Sequence, residues 1–253
     1  MSLVDKTRFR DGHYVGLPAD FNDSFVRIRV KLLKQFPGFT GKDLHLADVG
    51  CGNGNTVFLL NNDFRFCTGI DLFPENETVF RQTALERNCT NCEFIIKDIE
   101  KEEVTEQYDR IVCFEVIEHL RDENSVSQLY RMLKPEGLLA VTVPHKWWIF
   151  ETHGAHLPFL PWNRVPFFSW LPRKWHEKWA NARIYTRKRM IKLLQKHHFT
   201  VEYSCLITAP LDVLKDSIFK RFMKKFVFRK PTTSNPFLAT NVFVIARKNQ
   251  MMT

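Results

Sequence analysis

Short apolar runs alternate with amphipathic stretches along most of this chain. Residues 22–36 (NDSFVRIRVKLLKQF) place apolar side chains at helical spacing behind Asn22 or Asp23, each a competent N-cap. An apolar run at 44–49 (LHLADV) leads into a glycine-rich turn, and 55–62 then opens as a helix. Strand-like runs recur at 65–70, 92–97, 109–114 and 137–143. Helix-like segments at 75–88 and 115–133 separate them, the second closed by Pro135 and Gly137. A helix at 186–197, a strand at 199–207, a helix at 211–227 and a strand at 237–247 complete the pattern. Strands alternating with helices predict βαβ units. The expected fold is α/β: a doubly wound, seven-stranded, mostly parallel sheet whose last two strands form a hairpin-like pair.

One segment breaks this rhythm. Residues 144–183 hold all six tryptophans, five of the twelve prolines and four of the nine histidines. Such a stretch does not make a βαβ unit and reads as an insertion after the fifth strand. In an open α/β sheet that places it at the carboxyl edge of the strands, where ligands bind. We expect a single domain over 1–253, with a cofactor-binding core at 40–145. The aromatic insertion at 144–183 would be a substrate lid or a membrane-contacting element.

Charge sharpens the division. The formal net charge is +9, but residues 1–143 carry 17 Lys+Arg against 23 Asp+Glu, and residues 144–253 carry 20 against 5. That asymmetry concerns partners rather than fold, and the second half is suited to an anion. No apolar run approaches the roughly 20 residues of a membrane span. The first residues (MSLVDKTRFRDGHY) lack the apolar stretch of a signal peptide. The expected location is cytoplasmic, with peripheral contact to a membrane. Cys89 and Cys92 form a CxxC, but no second pair completes a four-ligand zinc site.

The chemistry concentrates in Ala47-Asp48-Val49-Gly50-Cys51-Gly52-Asn53-Gly54-Asn55, which follows a strand and opens a helix. A dinucleotide fingerprint, G-x-G-x-x-G, would need glycine at Asn55, and here the third glycine sits one residue early at Gly54. Asp48 would also repel a pyrophosphate, whereas it suits a ligand carrying an ammonium and a sulfonium. On these residues the chain resembles the class I S-adenosylmethionine-dependent methyltransferases, whose first motif is an acidic residue, one spacer and G-x-G-x-G. Asp71, Lys97-Asp98-Ile99, Tyr108-Asp109, Phe114-Glu115 and the run RMLKPEGLLAVTVP at 131–144 extend the likeness over about residues 40–145.

The resemblance implies S-adenosyl-L-methionine as cofactor. It would be held by Asp48, Gly50, Cys51, Gly52, Asn53 and Gly54 in the loop, then Asp71 and Leu72, Asp98 and Ile99, and Phe114 and Glu115. Asp71 would take the vicinal ribose hydroxyls with its two oxygens. Asp98 would meet the adenine amino group and Ile99 its ring.

On the acceptor side, Glu115-Val116-Ile117-Glu118-His119 would put two carboxylates and an imidazole on one helix face at i, i+3 and i+4. Glu115, Glu118 and His119 can hold a divalent metal such as Mg2+, or His119 can act as a general base, with His145, His153 and His156 as reserves. The run resembles both the ubiquinone-pathway O-methyltransferases and the small-RNA 2′-O-methyltransferases, the latter using these positions and a later histidine for Mg2+. Methyl transfer needs a base only when the acceptor must lose a proton.

Partner contacts are expected from the basic, aromatic regions 156–179 and 211–230. Seven Lys/Arg stand against one Asp in 215–230, and Leu211, Leu214, Ile218, Phe222 and Phe226 fall at helical spacing. These suit a membrane surface, a solvated face over an aromatic lid, or RNA. Phe114-Glu115-Val116-Ile117 lacks the N/D-P-P-Y/F of enzymes that methylate exocyclic base amines. The expected activity is methyl transfer to a hydrophobic or lipid-linked small molecule. The alternatives are a metal-assisted RNA 2′-O-methyltransferase and a non-catalytic protein that binds the same cofactor.

Overall fold

In the computed structural model the described residues are 9–10, 13–14, 23–155, 157, 165–211 and 216–249. Asp23 caps the first helix, α1 (Ser24–Gln35), its Oδ1 accepting from the Phe25 amide at 2.7 Å. That supplies one of the partners a helix start lacks. The chain then runs β1 (Gly41–Val49), α2 (Asn55–Leu60), β2 (Phe64–Asp71), α3 (Pro74–Glu86), β3 (Cys92–Ile96) and β4 (Tyr108–Phe114). Next come α4 (Val126–Met132), β5 (Leu133–Pro144), α5 (Arg173–Trp179), α6 (Arg187–Lys196) and β6 (Phe199–Thr208). The last elements are α7 (Ile218–Phe226), β7 (Thr232–Thr233) and β8 (Ala239–Lys248).

The sheet order is β3-β2-β1-β4-β5-β8-β6-β7. Its first five strands are parallel, and β8 runs antiparallel to both β5 and β6, which is the expected closing pair. The sheet has eight strands rather than seven. The extra one is Thr232–Thr233, hydrogen-bonded to Leu206 and Ile207, and two residues are too few to write an alternating pattern. A separate two-residue ladder joins Phe9–Arg10 to His13–Tyr14.

Strand alternation divides the core between the two faces. Along β4, Ile111 and Cys113 pack on the side covered by Leu129 of α4 and Leu194 of α6. Val112 and Phe114 pack on the opposite side with Leu33 of α1, Val57 of α2 and Phe80 of α3. Helices on both faces are what a doubly wound sheet requires.

Two expected helices are corrected. Residues 115–133 do not form one helix: Glu115 has φ +60°, a backbone state that cannot continue an α-helix, and a single 3-10 turn, Ile117–His119, follows it. A second 3-10 turn, Glu123–Ser125, starts behind Asp122, whose Oδ1 accepts from the Asn124 amide, and only then does α4 begin. Of 211–227, Ile218–Phe226 is helical. Residues 212–215 of that segment, and His156 and 158–164 of the insertion, lie outside the described residues. No helix among the described residues is long and apolar enough to cross a membrane.

Candidate active site

Across the sheet the chain order reverses between β1 and β4, and the crevice beyond the carboxyl ends of those strands is where ligands bind in such folds. The glycine loop fills one wall. Gly50 has φ +73°, and a Cβ there would come within 2.2 Å of Val116 Cγ2. Gly54 has φ +83° and stands at the head of α2, where a Cβ would strike Phe80 at 2.4 Å. By contrast a Cβ at Gly52 would meet no atom within 4 Å, so there the loop backbone faces open space. A ligand can approach that backbone closely.

Three carboxylates surround this cradle, one at the end of each of the first two strands and one just after the third. Asp71 Oδ2 accepts from the Gly52 amide at 2.7 Å, and its Oδ1 accepts from the Phe73 amide and Asn76 Nδ2, each at 3.0 Å. The carboxylate therefore holds the loop and the start of α3 in one geometry. Asp98 Oδ1 accepts from the Glu100 amide at 2.9 Å and its Oδ2 pairs with Lys101 at 3.1 Å. Asp48 is 3% exposed, and burial, then repulsion from Asp71, push its carboxyl up to about 8 against the opposing pull of Arg29. A buried acid in that state favours a cationic ligand, whose charge would let it ionise. Cys51 and Ile99 are buried, Asn53 and Leu72 half-buried. Phe114 is buried against Phe243.

Arg29, which the sequence analysis did not single out, also lies at this site. From α1 its guanidinium lies 5.4 Å from the centre of the Phe114 ring and Nη2 sits 3.1 Å from Glu115 Oε1. Its place in an amphipathic helix looked like any polar position. The available signal was a cation on a helix whose other face packs beside an acidic loop.

Glu115 Oε1 also accepts from Asn241 Nδ2 at 2.7 Å, so β8 and α1 both fix this carboxylate. Glu118 is 2% exposed, with both oxygens buried, and burial followed by repulsion from Glu115 holds its carboxyl well above the usual range. The insertion brings His153 back to this pair: its Nε2 stands 3.7 Å from Glu118 Oε1 and 3.9 Å from Glu115 Oε2. The His119 and His153 rings meet edge to face at 5.0 Å. Ligand atoms of Glu118, His119 and His153 all lie within 4.8 Å of one another. Glu115 is adjacent to that trio but not part of it, because the left-handed turn takes it off the helical spacing expected of it.

His145 is placed differently. It is 4% exposed and burial drives its imidazole down to about 4, so it is neutral at physiological pH. Its amide donates to the Thr240 carbonyl, tying the end of β5 to β8. The structure does not bring it into the Glu118 group.

Comparison with known proteins gives the family and the fold. Residues 40–208 match the family described as a methyltransferase domain. The ubiquinone biosynthesis O-methyltransferase of Pseudomonas fluorescens is 29% identical over 183 residues, covering 68% of this chain and 78% of that enzyme. The enzyme of the same name from Rickettsia bellii is 29% identical over 136 residues, 53% of this chain, and the chain spans only 54% of its length. In fold, an S-adenosylmethionine-dependent methyltransferase from Clostridium acetobutylicum superposes with TM-score 0.58 at 11% identity, covering 90% of this chain and 93% of that one. The N-methyltransferase NodS of Bradyrhizobium japonicum, solved with S-adenosyl-L-homocysteine, gives 0.57 at 14% identity and covers 90% of each chain. The chain belongs to the methyltransferase domain family, and its fold is that of the class I S-adenosylmethionine-dependent enzymes.

Proposed function

We propose that this chain transfers the methyl group of S-adenosyl-L-methionine to a hydroxyl of a hydrophobic or lipid-linked small molecule. The observation that carries the reading is the Glu118, His119 and His153 group beside Glu115, next to a cationic-ligand cradle. When bound, the cofactor supplies an activated methyl group that asks only for an aligned nucleophile and exclusion of water. Asp48 would face its ammonium and sulfonium, Asp71 its ribose and Asp98 its adenine. Arg29 is the cation within this acidic site suited to its carboxylate.

A hydroxyl must lose its proton as it becomes nucleophilic, and the residues here are those that take one. His119 or His153 accepts it, and the Glu115 carboxylate stabilises the imidazolium that results, a positive charge that would also help the buried Glu118 to ionise. The names of the ubiquinone-pathway relatives support an oxygen acceptor of apolar character. The same trio, two imidazoles and a buried carboxylate, suits a transition-metal dication rather than Mg2+, which prefers oxygen ligands, and such an ion would lower the pKa of a hydroxyl bound to it. That donor set also favours a second acceptor, an RNA 2′-hydroxyl.

The test is transfer of labelled methyl from S-adenosylmethionine to a prenylated phenol in detergent micelles, run beside short single-stranded RNAs, with and without chelator. Organic-extractable product supports the proposal. Labelled RNA alone would move the acceptor to ribose. Cofactor binding without any product would leave a non-catalytic binding protein.

A further inference from the structure

No residue of the helix α7 is fully buried, with Lys220, Met223 and Lys224 half-buried, and its large apolar side chains stand open: Ile218 is 87% exposed, Phe219 68%, Phe222 54% and Phe226 61%. At about 100° per residue, Ile218, Phe219, Phe222, Met223 and Phe226 fall within one arc of roughly 140°. Lys220, Arg221, Lys224 and Lys225 fall within a second arc of similar width on the other side. Leu211, which shares the sequence stripe, is buried and does not join the exposed face. Arg229 and Lys230 extend the positive charge, and Asp216 pairs with Arg221 at 2.9 Å.

The apolar face does not end with the helix. Phe228 meets the Trp148 ring at 6.4 Å, and Trp148 in turn meets the half-exposed Phe150 at 6.2 Å. Trp170 Nε1 donates to the carbonyls of Trp147 and Trp148, linking this row to a second one made by Trp170, Phe167 and Phe237. Phe167 and Phe237 are each 51% exposed. From Phe150 the chain needs three residues, at most about 11 Å, to reach His153 beside Glu118.

We infer that α7 and the adjoining aromatic rows dock on an anionic lipid surface, with the helix lying in the plane of the interface. A bilayer boundary accepts both arcs at once, the phenylalanines at the acyl edge and the cations at the phosphates, and tryptophan rings favour the same depth. Segregation of the arcs decides against single-stranded nucleic acid, which calls for aromatics and cations interleaved on one face. The docking deepens the proposed function, because it would present a lipid-linked acceptor to the edge of the insertion that carries His153.

The experiment is co-sedimentation of the full chain with vesicles of phosphatidylcholine alone or with 30% phosphatidylglycerol (roughly the anionic content of a charged membrane leaflet), in low and high salt. Wild type should bind the anionic vesicles and lose part of that binding in high salt. Phe222→Ser with Phe226→Ser, and separately Lys224→Glu with Lys225→Glu, should each weaken it by roughly tenfold or more. Both variants should keep wild-type affinity for S-adenosylhomocysteine, whereas absence of any such binding in wild type would sink the methyltransferase reading and not this one. Equal binding to neutral and anionic vesicles, unchanged binding by both variants, binding to RNA in place of vesicles, or self-association that buries α7 would each overturn the inference.

Discussion

Arg29 Nη2 lies 3.1 Å from Glu115 Oε1, and this contact ties the helix before the sheet to the turn at the end of β4. Glu115 and Glu118 repel one another, and Arg29 offsets that repulsion while also drawing Asp48 toward its ionised form. One cation therefore serves three acids.

Replacing Arg29 with alanine should weaken S-adenosylhomocysteine binding by roughly tenfold to a hundredfold, the loss expected for a charge-assisted contact. Calorimetric titration measures it. Arg29→Lys should recover only part, since an ammonium cannot keep both the Phe114 face and the Glu115 oxygen. Unchanged affinity in both variants would remove Arg29 from the cofactor site.

Asp48 makes binding pH-dependent. With its carboxyl near 8 in the free protein, a cationic cofactor that needs the ionised form should bind more tightly as pH rises, by up to about tenfold per unit until pH 8, and level above it. The stability of the free protein runs the other way. The folded value is raised, so the associated stability is present below about 4 and is lost as pH rises through about 8. Asp48→Asn should flatten both profiles, read by titration and by thermal unfolding. A wild-type affinity that is constant from pH 6 to 9 would contradict the argument.

Part of this candidate site can be read along the chain, and the reasons differ by residue. Gly50, Asp71 and Asp98 lie at or just beyond strand ends, where motifs are contiguous in sequence, so the family resemblance could single them out. Glu118 and His119 were found as a pair for the same reason. His153 and Arg29 reach the site through tertiary folding, and no local spacing encodes that. The left-handed Glu115 defeated the helical reading of 115–133, because a non-glycine residue in that state gives no compositional warning.

Gly50→Ala should destabilise the protein by about 2–4 kcal/mol, because a left-handed φ and a collision with Val116 combine. Denaturant melts would show a shifted midpoint with an unchanged slope. Gly52→Ala keeps the left-handed penalty without the collision, so it should cost less stability while impairing cofactor binding more. Reversal of that order would mean the open side of the loop is not where the ligand lies.

Glu118 separates the chemical step from binding. Glu118→Gln keeps the shape of a buried side chain but removes its carboxyl group as a proton acceptor and ligand, so kcat should fall by roughly a hundredfold or more. S-adenosylhomocysteine affinity should stay within about threefold of wild type. If a divalent cation sits there, chelator should reproduce the loss in wild type and add nothing in the variant. A fully active variant would show that this acid takes no part in the reaction.

His153 depends on a buried pair behind it. Glu151 Oε2 and His176 Nε2 are 2.7 Å apart with both side chains at most 1% exposed, and Glu151 Oε1 also accepts from the His153 amide at 3.2 Å. Asn181 Nδ2 holds the His153 carbonyl from the other side at 2.9 Å. Removing one member of a buried pair strands the other, at a cost of about 3–5 kcal/mol. His176→Ala should therefore lower the melting temperature and, at temperatures where the variant stays folded, lower kcat while leaving cofactor affinity near wild type. Asn181→Ala removes a single neutral hydrogen bond and should cost only about 1 kcal/mol of stability. If Asn181→Ala nonetheless lowers kcat, His153 must be held in place for catalysis. If it leaves kcat and the pH profile unchanged, the insertion stabilises the fold and His119 alone takes the proton.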